Sequence, residues 1–335
     1  MATHCYISSN SSDPIDYDTD IAPMWIRISV VVVGVATILV NIPAIIAVIF
    51  TKIRKPVVRN THLLILGITD ILAGVSLFPI LLTFMDPNNQ ISHWSCFLRI
   101  FFFTFIYYNS IGQVCVICID RFFLLSKPSW RYTSKYERRY FRMLSVMFLL
   151  TFVSVCLIFF ILGYPKGHQI TCKLDTLFCN NLHQFSAISG GVAVLIQCLI
   201  IICCIAMIVV LQQHRRKCRQ IAPAIRTERL SEDTSNNQQE YRRKEHQYGR
   251  MNAESKSTLT MIIIIVNLFV CVTPLNLGFV MQGLHLVETT SRTTRHLFIT
   301  LSSVNSLINP FIYCFRTPEV KATLNSGLAK FKALF

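Results

Sequence analysis

The chain has 335 residues, 53% of them hydrophobic and only 15% charged, with a formal net charge of +15. A soluble domain of this size carries more surface charge, and the apolar residues here come in long blocks, so a membrane protein is favoured. The 32 Lys and Arg are split among the segments between those blocks, which disfavours nucleic acid as a partner.

Residues 1–24 form a polar tail with Asp13, Asp16, Asp18 and Asp20 and no Lys or Arg. Asn10-Ser-Ser is a glycosylation sequon. Tyr17 between two aspartates is read as part of a solvated acidic tail, with sulfation as the alternative. Seven apolar blocks follow, at about 25–50, 62–85, 97–125, 143–164, 185–211, 259–283 and 297–315. Each is near or above the ~20 residues that a helix needs to cross a bilayer. The first block follows an acidic tail with no basic n-region, so it is read as a spanning helix and not as a signal peptide.

Twenty-five of the Lys and Arg fall in four segments, 51–61, 126–142, 212–258 and 316–335. The positive-inside rule puts these in the cytoplasm and the N-terminus outside. The expected organisation is an extracellular tail over 1–24, a seven-helix membrane domain over 25–315, and a C-terminal segment over 316–335. The loop at about 212–258 is expected to extend the fifth and sixth helices and to be disordered in the middle. In the last segment Thr317 suits a cap and Pro318 a first helical position. Val320, Leu324, Leu328 and Phe331 make one apolar stripe, which predicts a short amphipathic helix on the inner leaflet. Seven is an odd count and no inverted repeat of helices is visible, which weighs against many transporter folds.

Of the 13 cysteines, Cys5, Cys96, Cys172 and Cys179 fall on the outer, oxidising side. Four cysteines allow three full pairings, which the sequence leaves open. The other nine are expected as free thiols.

Ionisable residues inside a membrane are functional candidates by default. Asp70 is the one acid well inside a block, and Asn41, Ser110, Asn305, Ser306 and Asn309 are the polar residues that can accompany it. A buried carboxylate needs partners or a cation. Asp70 with amide and hydroxyl oxygens can hold Na⁺ and water; the alternative is a protonated Asp in structural hydrogen bonds. The third block ends in Asp120-Arg121. Cys96 precedes Arg121 by 25 residues, roughly 37 Å of helix, enough to cross the hydrocarbon core. With Cys96 outside, Asp120 and Arg121 stand at the cytoplasmic mouth, where Arg121 is always charged and needs acceptors.

An ordered set of motifs carries a resemblance. Asn41 lies in the first block, "LGITD" ends in Asp70, and Cys96 and "DRF" (Asp120 to Phe122) are spaced along the third. "CVTP" ends in Pro274, and "NSLINPFIY" runs from Asn305 to Tyr313. With these the chain resembles the rhodopsin-like (class A) G protein-coupled receptors along nearly its whole length. It departs from them in several places. Phe122 replaces Tyr, the fourth helix has no Trp, and the fifth has no Pro. Val272 and Leu268 stand at the sixth-helix Trp and Phe positions, and Val320 stands at the usual Phe of the eighth helix.

The resemblance implies a set of roles. Glu254 pairs with Arg121 in the inactive state, and Asp120 restrains Arg121, which meets a heterotrimeric G protein once released. Asn309, Pro310, Tyr313 and Pro274 form the switch region. Asp70, Ser110, Asn305 and Asn309 form a sodium pocket. Cys96 bridges to the second outer loop, at Cys172 or Cys179.

The matching position for an amine counter-ion is Phe103 and for the retinal lysine Ser303, so both ligand classes are disfavoured. The outer third helix is strongly aromatic. Most of those rings are read as packing, with Arg99, Phe103 and Gln113 as candidates to line a ligand pocket. A peptide or a lipid-like ligand fits such a pocket, and a peptide is preferred, since an acidic tail steers a basic peptide. The expected function is thus a plasma-membrane receptor. An enzyme is disfavoured because the nine histidines show no paired i, i+4 set. A receptor-like scaffold or decoy that does not couple is the alternative.

Overall fold

The computed structural model describes residues 23–54, 58–85, 90–126, 136–163, 169–172, 174–178, 181–228, 235–287, 292–316 and 318–332. The acidic tail with Asn10, Tyr17 and Cys5 lies outside the described residues, as do Cys179, Thr317 and the loop segment 229–234.

Each apolar block forms a helix. The long helices are α1 (Met24–Arg54), α2 (Val58–Met85), α3 (His93–Ser126), α4 (Tyr136–Leu162), α6 (Leu182–Glu228), α7 (Ser235–Gly283) and α8 (Arg292–Arg316). A five-residue helix α5 (Leu174–Phe178) sits in the outer loop, and α9 (Pro318–Lys332) follows the bundle. Apart from a three-residue ladder the described fold is all-α: a seven-helix bundle with a short C-terminal helix. Pro43, Pro79, Pro274 and Pro310 lie inside helices, which a bilayer tolerates because neighbouring helices re-satisfy the freed backbone groups. The long loop extends the fifth and sixth spanning helices, as its composition suggests.

Six of the seven long helices are apolar enough to cross a membrane by length and composition. The remaining one, α8, carries His296, Ser302, Ser303, Asn305, Ser306 and Asn309, and all of them are buried. Its polarity is directed at the bundle interior. The lipid-facing surface is the reverse: Leu149, Leu150, Phe152 and Ile161 on α4 and Leu195, Ile202 and Ile205 on α6 are exposed. In water such a face would be an aggregation surface; in hydrocarbon it is solvated.

Small residues bring helices close. A Cβ on Gly74 would stand 3.0 Å from the Gly34 carbonyl oxygen, so α1 and α2 meet nearly backbone to backbone. The outer half of the core is aromatic. Phe97, Phe101 and Phe105, spaced i, i+4, i+8 on α3, stack along one face. They meet Phe148, Phe152 and Phe159 of α4 edge-on, at centroid distances of 5.2–6.4 Å. Most third-helix rings therefore serve packing, as expected, while Phe103 and Tyr107 share the opposite, interior-facing register.

The outer loop is pinned twice. Cys96 is bonded to Cys172, the first of the two partners that the resemblance offered. A short ladder of β1 (Gln90–Ser92) with β2 (Gln169–Thr171) lies beside it, with Ile91 opposite Ile170. At the other end α9 begins at Pro318 and buries Val320 against Ala44, Ala47, Val48 and Leu63, with Leu324 half-buried beside them. Thr323 of α9 and Thr51 of α1 share a 3.0 Å hydrogen bond. A valine at position 320 thus fills its niche without the aromatic ring the family usually places there.

Candidate functional site

Two groups of polar residues lie along the bundle axis. At the inner mouth, Asp120 and Arg121 are both buried, 2% and 3% exposed. Three neighbours approach the Asp120 carboxylate. Tyr136, the first residue of α4, donates its hydroxyl to Oδ1 at 2.7 Å. His62, near the start of α2, brings Nε2 to 3.2 Å from Oδ2. Arg121 Nε is 4.0 Å from the same oxygen. Tyr140, one helical turn beyond Tyr136, holds the His62 ring edge-on at a centroid distance of 3.9 Å. One carboxylate therefore ties the inner ends of α2, α3 and α4. Arg121 Nε and Nη2 make no hydrogen bond among the described residues, so part of its donor capacity is held back. The Glu254 side chain lies outside the described residues; its backbone is in α7.

The tie through His62 and Tyr136 is absent from the sequence reading. A signal for it exists: the charge topology puts the start of α2 and the end of α3 on the same side of the membrane, so His62 and Asp120 share a depth.

At mid-depth, Asn309 Nδ2 donates to Asp70 Oδ2 at 3.1 Å, and Ser306 hydrogen-bonds the same carboxyl. Asn41 Nδ2 donates to the Ser306 carbonyl at 3.1 Å. Asn267 Nδ2 donates to Asn305 Oδ1 at 2.9 Å, which joins α7 to α8. Asp70 Oδ1 and Asn309 Oδ1 are buried and have no hydrogen-bond partner among the described residues. Ser110, Asn305 and Ser306 line a cavity of about 30 Å³, together with Phe103, Tyr107 and Val272. That volume holds on the order of two waters. Orphaned carboxylate and amide oxygens are the donor set that fits a hard monovalent cation. Asp70 and Asn309 are not themselves on the cavity wall.

The cavity is bounded by Val272 at the position where the resembling family keeps Trp. In place of that ring, α3 and α7 are linked by a hydrogen bond from the Tyr107 hydroxyl to Asn276 Oδ1 at 2.6 Å. Leu268 and Val272 are buried in an aliphatic cluster with Ile111, Val114, Ile200 and Ile265. Pro310 is buried in α8, Pro274 lies within α7, and the Tyr313 side chain is outside the described residues.

Of the ligand-pocket candidates, Phe103 lines the 30 Å³ cavity. Gln113 is buried and donates to Thr69 Oγ1 at 2.6 Å, a link from α3 to α2 one residue from Asp70. Arg99 is half-buried on the outer part of α3. The three are therefore spread along α3, and only Phe103 touches this cavity.

Seven long helices with aliphatic outer surfaces and polar groups along the bundle axis define a multi-pass membrane helix bundle. A family model described as "7 transmembrane receptor (rhodopsin family)" matches residues 40–313, and the chain belongs to that family. A search of curated proteins found no match.

Proposed function

We propose that the protein is a cell-surface receptor, with its N-terminus outside, that binds an extracellular ligand and activates a heterotrimeric G protein through Arg121. The observation that carries this reading is the inner mouth: a buried arginine, restrained by Asp120, with two nitrogens that make no hydrogen bond among the described residues. An arginine is always charged and presents five donors, so its exposure creates a docking point for a transducer. Asp120 and Glu254 hold it in the resting state. Pro274, Asn309, Pro310 and Tyr313 belong to the segments that rearrange. A peptide is the ligand class that the acidic tail favours, and Phe103 at the counter-ion position speaks against an amine.

The test is a panel of G protein activation sensors in cells, at equal surface expression, with wild type, Glu254→Ala and Arg121→Ala. Glu254→Ala is expected to raise ligand-independent activation and Arg121→Ala to abolish it. Identical readings from all three, for every G protein class, would establish a non-coupling scaffold instead.

The Asp70 cluster is proposed as a sodium site. A ligand of the folded state alone raises stability with its concentration. Replacing choline by Na⁺ at constant ionic strength is expected to raise the Tm of the purified receptor, and Asp70→Asn is expected to remove the effect. An equal Na⁺ response in both proteins would assign the Asp70 cluster to structural hydrogen bonding.

A further inference from the structure

His183 and His285 form a pair outside both groups of residues that the receptor reading uses. His183 lies in the first turn of α6, and His285 lies two residues beyond the end of α7. Both are at the outer end of the bundle, the end that carries the Cys96–Cys172 bridge. Their rings stack at a centroid distance of 3.9 Å and an interplanar angle of 26°.

One backbone carbonyl orients the His183 ring and the His285 main chain. His183 Nδ1 is 2.8 Å from the Gln282 carbonyl oxygen. A carbonyl only accepts, so Nδ1 carries the proton, and in the neutral ring Nε2 is the bare nitrogen. A backbone carbonyl on one imidazole nitrogen, fixing the tautomer and aiming the other, is the outer-shell arrangement of metal-ligating histidines. The same Gln282 carbonyl accepts the His285 backbone N–H at 3.2 Å. His285 has φ 57°, the left-handed region that a non-glycine residue enters at a cost of about 1–2 kcal/mol. Hydrogen bonds from Leu284 N to Val280 O and from Leu286 N to Met281 O close that turn. Strained residues of this kind cluster at functional sites. Between the two histidines the helices are in backbone contact: a Cβ on Gly283 would stand 2.4 Å from Ala187 Cα. The main chains that carry the two rings are therefore held by a rigid seam. His285 is exposed, which leaves its ring room to turn a nitrogen toward His183.

We propose that His183 and His285 bind a borderline transition-metal dication, Zn²⁺ being the probe, which clamps the outer end of α6 to the end of α7. Imidazole nitrogen suits Zn²⁺, Cu²⁺ and Ni²⁺ and not Mg²⁺ or Ca²⁺, which take oxygen ligands. Two protein nitrogens at about 2.0–2.1 Å leave the remaining tetrahedral positions to water.

The experiment uses the full-length receptor in detergent or nanodiscs, and it reads metal binding and Tm, neither of which depends on G protein coupling. Zn²⁺ is expected to raise Tm in a saturable way, while Mg²⁺ and Ca²⁺ at equal concentration leave it unchanged. Zn²⁺ affinity by isothermal titration is expected to fall at least about tenfold in His285→Gln and again in His183→Gln. His285→Gln is the decisive variant, because the residue is exposed and its loss leaves the helix seam intact. No Zn²⁺ response in wild type, or an undiminished response in His285→Gln, would overturn the proposal.

Discussion

Replacing Asp120 by asparagine is expected to raise ligand-independent G protein activation about tenfold, and combining it with Arg121→Ala is expected to remove the gain. Asp120 accepts from Tyr136 of α4, faces His62 of α2 at 3.2 Å and stands 4.0 Å from Arg121. Removing one member of a buried charged pair costs about 3–5 kcal/mol. Only the part of that cost that differs between resting and active states moves the equilibrium. A differential of about 1.4 kcal/mol multiplies the active population about tenfold, which is well within the total. Tyr136→Phe deletes one hydrogen bond to a charged group and leaves the ring in place, so a smaller rise in the same direction is expected. His62→Ala removes a buried ring that Tyr140 packs against, so it is expected to add a loss of Tm to its rise in activity. Activation per surface receptor is the quantity to measure. Wild-type or lower activity in both Asp120→Asn and Tyr136→Phe, at normal surface density, would show that Asp120 does not restrain Arg121.

Much of this arrangement is legible in the chain because a bilayer imposes length. The 25-residue offset from Cys96 to Arg121 is enough helix to cross the hydrocarbon core, and the structure keeps the two near opposite ends of α3. The aromatic register of α3 is equally local: Phe97, Phe101 and Phe105 recur every four residues and share a face. What escapes the sequence is pairing at long separation. His62 and Asp120 are brought together only when α2 and α3 pack, and in the block that contains both His62 and Asp70 the histidine stands at the edge with nothing to mark a partner. The links Tyr107–Asn276 and Asn267–Asn305 are of the same kind. Each side chain by itself is a tolerated polar residue in a membrane helix, and only the bundle makes it half of a hydrogen bond. The β1–β2 ladder is three residues long on each side, too short for any periodicity to register. The Zn²⁺ candidates illustrate the same limit, since His183 and His285 show no spacing in the chain that would connect them.

Replacing Cys96 or Cys172 by serine is expected to lower stability by about 2–4 kcal/mol and to reduce surface expression, with the double variant no worse than either single one. The bridge closes a loop over a sequence separation of 76. For a free chain a loop of that size corresponds to about 4 kcal/mol of closure entropy. The intervening chain is not free, however, because α4 and most of α3 remain helical in a bilayer even when the bundle loosens, so the lower part of the range applies. The bridge also holds β2 in register with β1 and anchors the segment leading to α5, whose Leu177 and Phe178 complete the aromatic cluster around Phe159 and Phe185. Losing it therefore releases packing as well as chain entropy. Thermal unfolding of these three variants and of Cys179→Ser distinguishes the pairings. Partners in one bond are non-additive, so both single variants and the double should share one Tm. Cys172→Ser with wild-type stability, and Cys179→Ser with the loss, would move the bond to Cys179 and detach the outer loop from the position seen here.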